Sequence, residues 1–154
     1  MNAASPDPNI APDRPIADSG ETRLRVRYAE CDPMGVAHHS SYIPWLEIGR
    51  TEILRESGMT YADMEEAGVL LVVTRLEIAY KSPARYDDEV VVLTKVSGGK
   101  RARLDHEYEV WVDKGDGRGR SVLCATASST LACVDRGGKP QALPEWIRAA
   151  AHKG

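Results

Sequence analysis

The sequence predicts an α+β fold in which a strongly curved antiparallel sheet wraps around one long helix. Three observations carry that reading. Helical periodicity is concentrated in one long segment after residue 40, β-rich runs follow it one after another, and neither an internal repeat nor a βαβ alternation interrupts them. Glycine-bearing turns separate the later runs, so neighbours in sequence are expected to pair as a meander.

Residues 1–20 carry Pro6, Pro8, Pro12 and Pro15 among Asn, Asp and Ser, which predicts a disordered N-terminal tail ahead of one domain over 21–154. The tail is too polar for a signal-peptide core or a membrane span. From residue 21, Leu24, Val26 and Tyr28 alternate with Arg23, Arg25 and Arg27, the period-two spacing of a strand with one buried face. Ser40 or Ser41 then caps a helix whose first turn tolerates Pro44, and Tyr42, Leu46, Gly49 and Ile53 recur at helical spacing until Gly58 ends it. Trp45, Leu46, Ile53 and Leu54 are its expected buried residues. Thr60 and Asp63 form a capping box for a short helix closed by Gly68, and residues 69–80 read as a long, largely buried strand before a turn at Pro83. Three more strands are expected over 90–96, 104–112 and 122–134, separated by the Ser97-Gly98-Gly99 turn and the glycines of 113–119. Residues 144–151 predict a terminal helix.

A chain of 154 residues with 42% apolar content makes a single domain with a moderate core. Its net charge of -3 excludes the global basic field that drives nucleic-acid binding. Cys31, Cys124 and Cys133 are odd in number and lack close metal-ligand spacing, which suits reduced structural thiols in a cytoplasmic setting.

Chemistry is concentrated in the run from Tyr28 to Tyr42, where a carboxylate, a Pro/Gly turn and two histidines lead into the long helix. A carboxylate is ionised at neutral pH, and a helix start offers free N–H donors, the two things acyl transfer needs. Read locally, Asp32 before Pro33 is better explained as an Asx-turn residue, and only the extended pattern around it favours a catalytic carboxylate. His38 and His39 with Asp32 lack a third ligand of persuasive spacing, so no metal or other cofactor is expected. Glu47 is a second candidate carboxylate, although Glu47 and Arg50 also match an ordinary helical ion pair. Cys31 adjoins Asp32 but has no evident activating partner and is taken as structural.

The pattern Tyr28-x-Glu30-x-Asp32-Pro-x-Gly35, followed by His39-x-x-Tyr42-x-x-Trp45-x-Glu47-x-x-Arg50, resembles the hotdog-fold acyl-CoA thioesterases of the 4-hydroxybenzoyl-CoA thioesterase and YbgC-like type. The likeness continues through Tyr80-x-x-Pro-Ala-Arg-Tyr-Asp-Asp88 and residues 136–143. It implies a hotdog fold whose subunits pair through their sheets, active sites between subunits, and a homotetramer built as a dimer of dimers. It also implies that Asp32 is the catalytic base or nucleophile and that the His39 backbone amide polarises the thioester carbonyl. Gly35, Tyr42 and Leu71, the last from the partner subunit, would border the substrate. Lys100, Arg101 and Arg103 would meet the CoA phosphates.

The expected reaction is hydrolysis of an acyl-CoA to a free acid and CoA, with a thioester on an acyl-carrier protein as a possible variant. A hotdog enoyl-thioester hydratase or dehydratase and a non-catalytic acyl-CoA-binding protein are the alternatives; the hydratase's usual carboxylate and histidine motif is not seen here.

Overall fold

The computed structural model of the chain describes residues 10–151. Five antiparallel strands form one sheet: β1 (Ser19–Arg25), β2 (Leu70–Tyr80), β3 (Glu89–Lys100), β4 (Arg103–Asp113) and β5 (Val122–Val134). Their spatial order is β1-β3-β4-β5-β2, so the last three strands are the expected meander and the two earlier ones flank it. The helices are α1 (Tyr42–Glu56), α2 (Tyr61–Glu66) and α3 (Glu145–Ala151).

The sheet closes over α1 because the helix presents its apolar stripe inward. Tyr42, Trp45, Leu46, Ile53 and Leu54 are all buried, and Trp45 and Leu46 retain only 1% exposure each. Val90, Val92, Tyr108, Val110 and Val112 meet them from alternate positions of β3 and β4. A second apolar cluster gathers Met59, Met64, Leu143 and Ile147 around the far end of α1. Gly49 sits where helix and sheet approach most closely: a Cβ there would stand 2.4 Å from Thr94 Oγ1 and 3.0 Å from Val92 Cγ1. Gly49→Ala gains helix propensity but overpacks this contact, and a net loss of about 1–2 kcal/mol in denaturant unfolding is expected.

Several boundaries differ from those the sequence predicts. Residues 1–9 of the expected tail lie outside the described residues. From Ile10 onward the segment packs on the protein: Ile10 and Ile16 are half-buried against the second cluster, Trp146 Nε1 donates to the Ile10 carbonyl at 3.0 Å, and β1 begins at Ser19. Prolines mark the segment as tail, yet two isoleucines and the hydrogen bonds from Trp146 to the Ile10 carbonyl and from Arg14 N–H to the Ser57 carbonyl dock it. Tyr28, expected on the buried face of the first strand, is 82% exposed because β1 ends at Arg25 and a 3-10 turn covers Tyr28–Glu30.

The long helix is not capped by Ser40 or Ser41. A 3-10 turn, His39–Ser41, precedes it, and His38 is the capping residue, its Nδ1 accepting from Ser40 N–H at 3.2 Å. Thr60 and Asp63 do form the reciprocal capping box. Residues 69–80 are not largely buried: β2 is an edge strand, with Val72, Val73 and Tyr80 between 42% and 49% exposed.

Ser97, Gly98 and Gly99 are not a turn but part of β3, with an irregular register between Val96 and Gly98; the chain reverses at Arg101 and Ala102. The reason for Gly99 is proximity, since a Cβ there would stand 2.8 Å from the Arg103 carbonyl oxygen and 3.0 Å from the Ala151 side chain.

Candidate active site

The segment between β1 and α1 is folded back on itself and pinned to two neighbours. Cys31 pairs with Ala37, Asp32 N–H donates to the Val36 carbonyl at 2.9 Å, and His38 N–H donates to the Glu30 carbonyl at 2.8 Å. Gly35 closes the tip with φ of 75°, its N–H reaching the Asp32 carbonyl at 2.9 Å. Val36 bridges to Arg85, and Ala37 N–H donates to the Ala84 carbonyl at 2.8 Å, so the Pro83–Asp88 stretch is the platform beneath the loop. Asp32 is partly exposed, and Oδ1 accepts from Met34 N–H at 2.8 Å. The Asx-turn reading is therefore correct as geometry, and it holds a carboxylate at the mouth of the loop without burying it.

At the other end of the loop stands His39, the first residue of the 3-10 turn. Among the described residues its N–H has no hydrogen-bond acceptor, as the start of a helical segment leaves it. Tyr80 Oη donates to the His39 carbonyl at 2.8 Å, tying the end of β2 to this turn. Tyr42 follows, 3% exposed, with its ring 4.7 Å from Trp45 and 5.1 Å from Tyr80. Burial pushes its phenol up to about 12, so it stays neutral at physiological pH. The two histidine rings lie 4.0 Å apart, and His38 is occupied by its bond to the Ser40 hydroxyl at 2.7 Å.

Glu30 holds these parts together, a role that sequence reasoning missed. It is 8% exposed. Its Oε1 accepts from Trp45 Nε1 at 3.0 Å and from Arg27 Nη2 at 2.8 Å, and its Oε2 accepts from Arg27 N–H at 2.7 Å. Its carbonyl also takes the Ser41 hydroxyl at 2.8 Å. Burial alone would push this carboxyl up, but the Arg27 and Trp45 hydrogen bonds outweigh it and hold the group below the usual carboxylate range. The sequence signal was its place two residues before Asp32 in the quoted pattern; its partners arise only on folding.

The remaining candidates are elsewhere in the chain. Glu47 is 68% exposed and 3.9 Å from Arg50, a loose helical ion pair. Leu71, half-buried, packs into the second cluster at the start of β2. Lys100, Arg101 and Arg103 surround the β3–β4 reversal, where Arg103 is paired with Asp105 at 2.9 Å. This tip lies at the opposite end of β3 from the loop: Glu89 pairs with Arg25, whereas Lys100 closes a strand that spans roughly 35 Å at about 3.3 Å per residue. One chain therefore does not bring the basic tip to Asp32.

A further polar group lies under α1. His106 is 4% exposed on the inner face of β4, and burial, reinforced by nearby Arg50, pushes its imidazole down to about 4. The native state thus refuses a proton that the unfolded chain accepts near 6.5. Stability from this difference is complete above pH 6.5 and is lost as pH falls towards 4, by about 3 kcal/mol at 1.4 kcal/mol per unit. Unfolding titrations at pH 7 and pH 4.5 should show the loss in wild type and a smaller one in His106→Phe.

A curved five-stranded antiparallel sheet closed over a single long helix is the architecture of the hotdog fold. A family model described as the Thioesterase-like superfamily matches residues 26–151, and the chain belongs to that family. It is 34% identical to an acyl-CoA thioesterase, YbgC, of Haemophilus influenzae over 84% of this chain and 91% of that one. It is 30% identical to the acyl-CoA thioester hydrolase YbgC of Escherichia coli, over 82% and 90% of the two chains. Among solved structures, a DHNA-CoA thioesterase from Staphylococcus aureus superposes with a TM-score of 0.77 at 34% identity, covering 88% of this chain and 89% of that one.

Proposed function

We propose that the protein hydrolyses acyl-CoA thioesters to the free acid and CoA, with Asp32 as general base or nucleophile and the His39 N–H polarising the carbonyl. The observation that carries this reading is the loop geometry: a partly exposed carboxylate at one end and, at the other, an N–H at the start of a helical segment that has no acceptor among the described residues. In the general-base route Asp32 takes a proton from water, the hydroxide oxygen bonds the carbonyl carbon, and the tetrahedral intermediate expels CoA as thiolate. The negative oxygen formed on the way is met by the amide and the helix start. A thiolate leaves without the acid that an alkoxide or amine would need.

The working unit in this proposal is a dimer joined along β2, followed by pairing of dimers. The edge strand exposes Val72 and Val73, an apolar margin suited to a second copy. Antiparallel self-pairing of an 11-residue strand sets Leu70 against Tyr80, which lays the partner subunit's Leu71 beside this chain's His39 turn. Leu70 also lies at the β3–β4 tip end of the sheet, as the Leu70–Val134 pair and the Cys133–Ala102 hydrogen bond show. The same pairing therefore carries the partner's Lys100 and Arg101 towards this chain's Asp32, where CoA phosphates would lie. Three unpaired thiols, Cys31, Cys124 and Cys133, suit a reducing, cytoplasmic setting.

Free-thiol release from benzoyl-, phenylacetyl-, short- and long-chain acyl-CoAs tests the reading. Turnover of at least one is expected; release from none overturns it in favour of a carrier-bound substrate or a binding role.

A further inference from the structure

Beneath α1, the second core cluster borders a partly open cavity of about 30 Å³ lined by Arg50, Tyr61, Leu71 and His106 among others. Apolar cavities stay empty without cost to hydrogen bonding, but this one is polar on one side. Arg50 Nε and His106 Nδ1 are buried and have no hydrogen-bond partner among the described residues. Both belong to side chains about nine-tenths or more buried: the Arg50 side chain is 11% exposed and His106 is 4% exposed. Tyr61 adds a phenol on which the Arg50 charge acts, since burial pushes its hydroxyl up while Arg50 draws it down. Each orphan is costly where it stands, and native proteins seldom leave two side by side.

The missing partner is defined by what these groups offer. Arg50 Nε only donates, and His106 donates from Nδ1 in one of its neutral tautomers, so a single acceptor satisfies both. Water satisfies hydrogen bonds but leaves the guanidinium charge unbalanced. Glu47, the carboxylate paired with Arg50, stands 3.9 Å away with 68% exposure, too distant and too hydrated to neutralise it. A carboxylate oxygen supplies both acceptor and charge, and the planar guanidinium is shaped to receive it.

The cavity is bordered by the same helix whose start adjoins the candidate site. Ile43, Glu47, Arg50 and Leu54 recur at three- and four-residue spacing and form one stripe along α1. The stripe begins beside the His39 turn, and Ile43 is 47% exposed there. Arg50 lies seven residues further on, roughly 10 Å at 1.5 Å per residue, the length of a medium acyl chain. Resting on the thioesterase reading, we infer that the Arg50–His106–Tyr61 cavity receives the far end of the acyl group and selects thioesters whose acyl chain ends in a carboxylate. Glu47 yields its loose contact and turns to solvent, and Arg50 pairs with the substrate instead.

The test compares kcat/KM for adipoyl-CoA and suberoyl-CoA with hexanoyl-CoA and octanoyl-CoA, chains matched in length but ending in a carboxylate or a methyl group. Wild type is expected to favour the carboxylate-ended member of each pair tenfold or more. Arg50→Met is expected to reduce that ratio at least tenfold, and His106→Phe to lower it several-fold. A wild-type ratio near one, or a ratio that both variants leave unchanged, overturns the inference while thiol release upholds the thioesterase reading. Absence of turnover on all four defeats that reading instead. Calorimetric titration of Asp32→Asn protein with adipoyl-CoA and hexanoyl-CoA then decides the cavity separately: tighter binding of adipoyl-CoA that Arg50→Met abolishes supports it, and equal or absent binding overturns it. Should Arg50→Met fail to fold, Arg50→Lys, which keeps charge but loses the planar fork, is expected to lower the ratio in its place.

Discussion

Asp32→Asn lowers thiol release from acyl-CoA by about two orders of magnitude or more, the loss that follows removal of a general base or nucleophile. The substitution isolates chemistry from structure for a reason visible in the loop. An asparagine Oδ1 accepts from Met34 N–H as the aspartate does, so the Asx turn and the pairing of Asp32 with Val36 survive. Asp32→Ala would remove turn and carboxylate together and report on neither alone. Steady-state kinetics beside an unfolding curve makes the distinction: folded Asp32→Asn protein with near-normal kcat would remove Asp32 from the mechanism.

Glu30→Ala destabilises the protein and disables the site together. It leaves the Trp45 indole N–H, on a side chain 1% exposed, without an acceptor at 3.0 Å, which costs about 1–3 kcal/mol. Arg27 is 74% exposed and adds little once its partner is gone. Glu30→Gln is the informative companion, because it keeps the volume and one acceptor. It is expected to lower kcat several-fold with KM less affected, as a residue that positions Asp32 and the His39 turn should. The pH dependence has a fixed sign. Folding lowers this carboxyl below its ordinary 4.5, so its stabilisation is present above that value and lost as pH falls through the native one. The stability gap between wild type and Glu30→Gln should therefore narrow in acid; a gap that widened would contradict the assignment.

How much was legible beforehand depends on whether a signal is local. The capping box at Thr60 and Asp63, the inward stripe of α1 and the meander of β3, β4 and β5 are written in spacing, and the structure carries all three. Glycine signals misled at Gly98 and Gly99, since a close approach and a turn demand the same residue. Residues 69–80 are apolar enough to read as buried, but edge position is decided by topology. In the candidate site, Asp32, Gly35, His39 and Tyr42 come from one contiguous run and so could be proposed from sequence. Glu30 bonded to Trp45, Tyr80 bonded to His39, and Arg50 set beside His106 belong to different elements, and nothing short of the fold juxtaposes them.

The separation of the basic tip and the carboxylate loop to opposite ends of β3 has a genetic consequence. In the proposed dimer each site draws Asp32 from one chain and Lys100 with Arg101 from the other, so the two sets of lesions fall on different halves of every site. On that proposal, a chain with Asp32→Asn and a chain lacking the tip's cations are each expected to be strongly impaired as homodimers. Paired together, they concentrate both defects in one site and leave the other whole, so a cell carrying the two impaired alleles is expected to regain activity well above that of either allele alone.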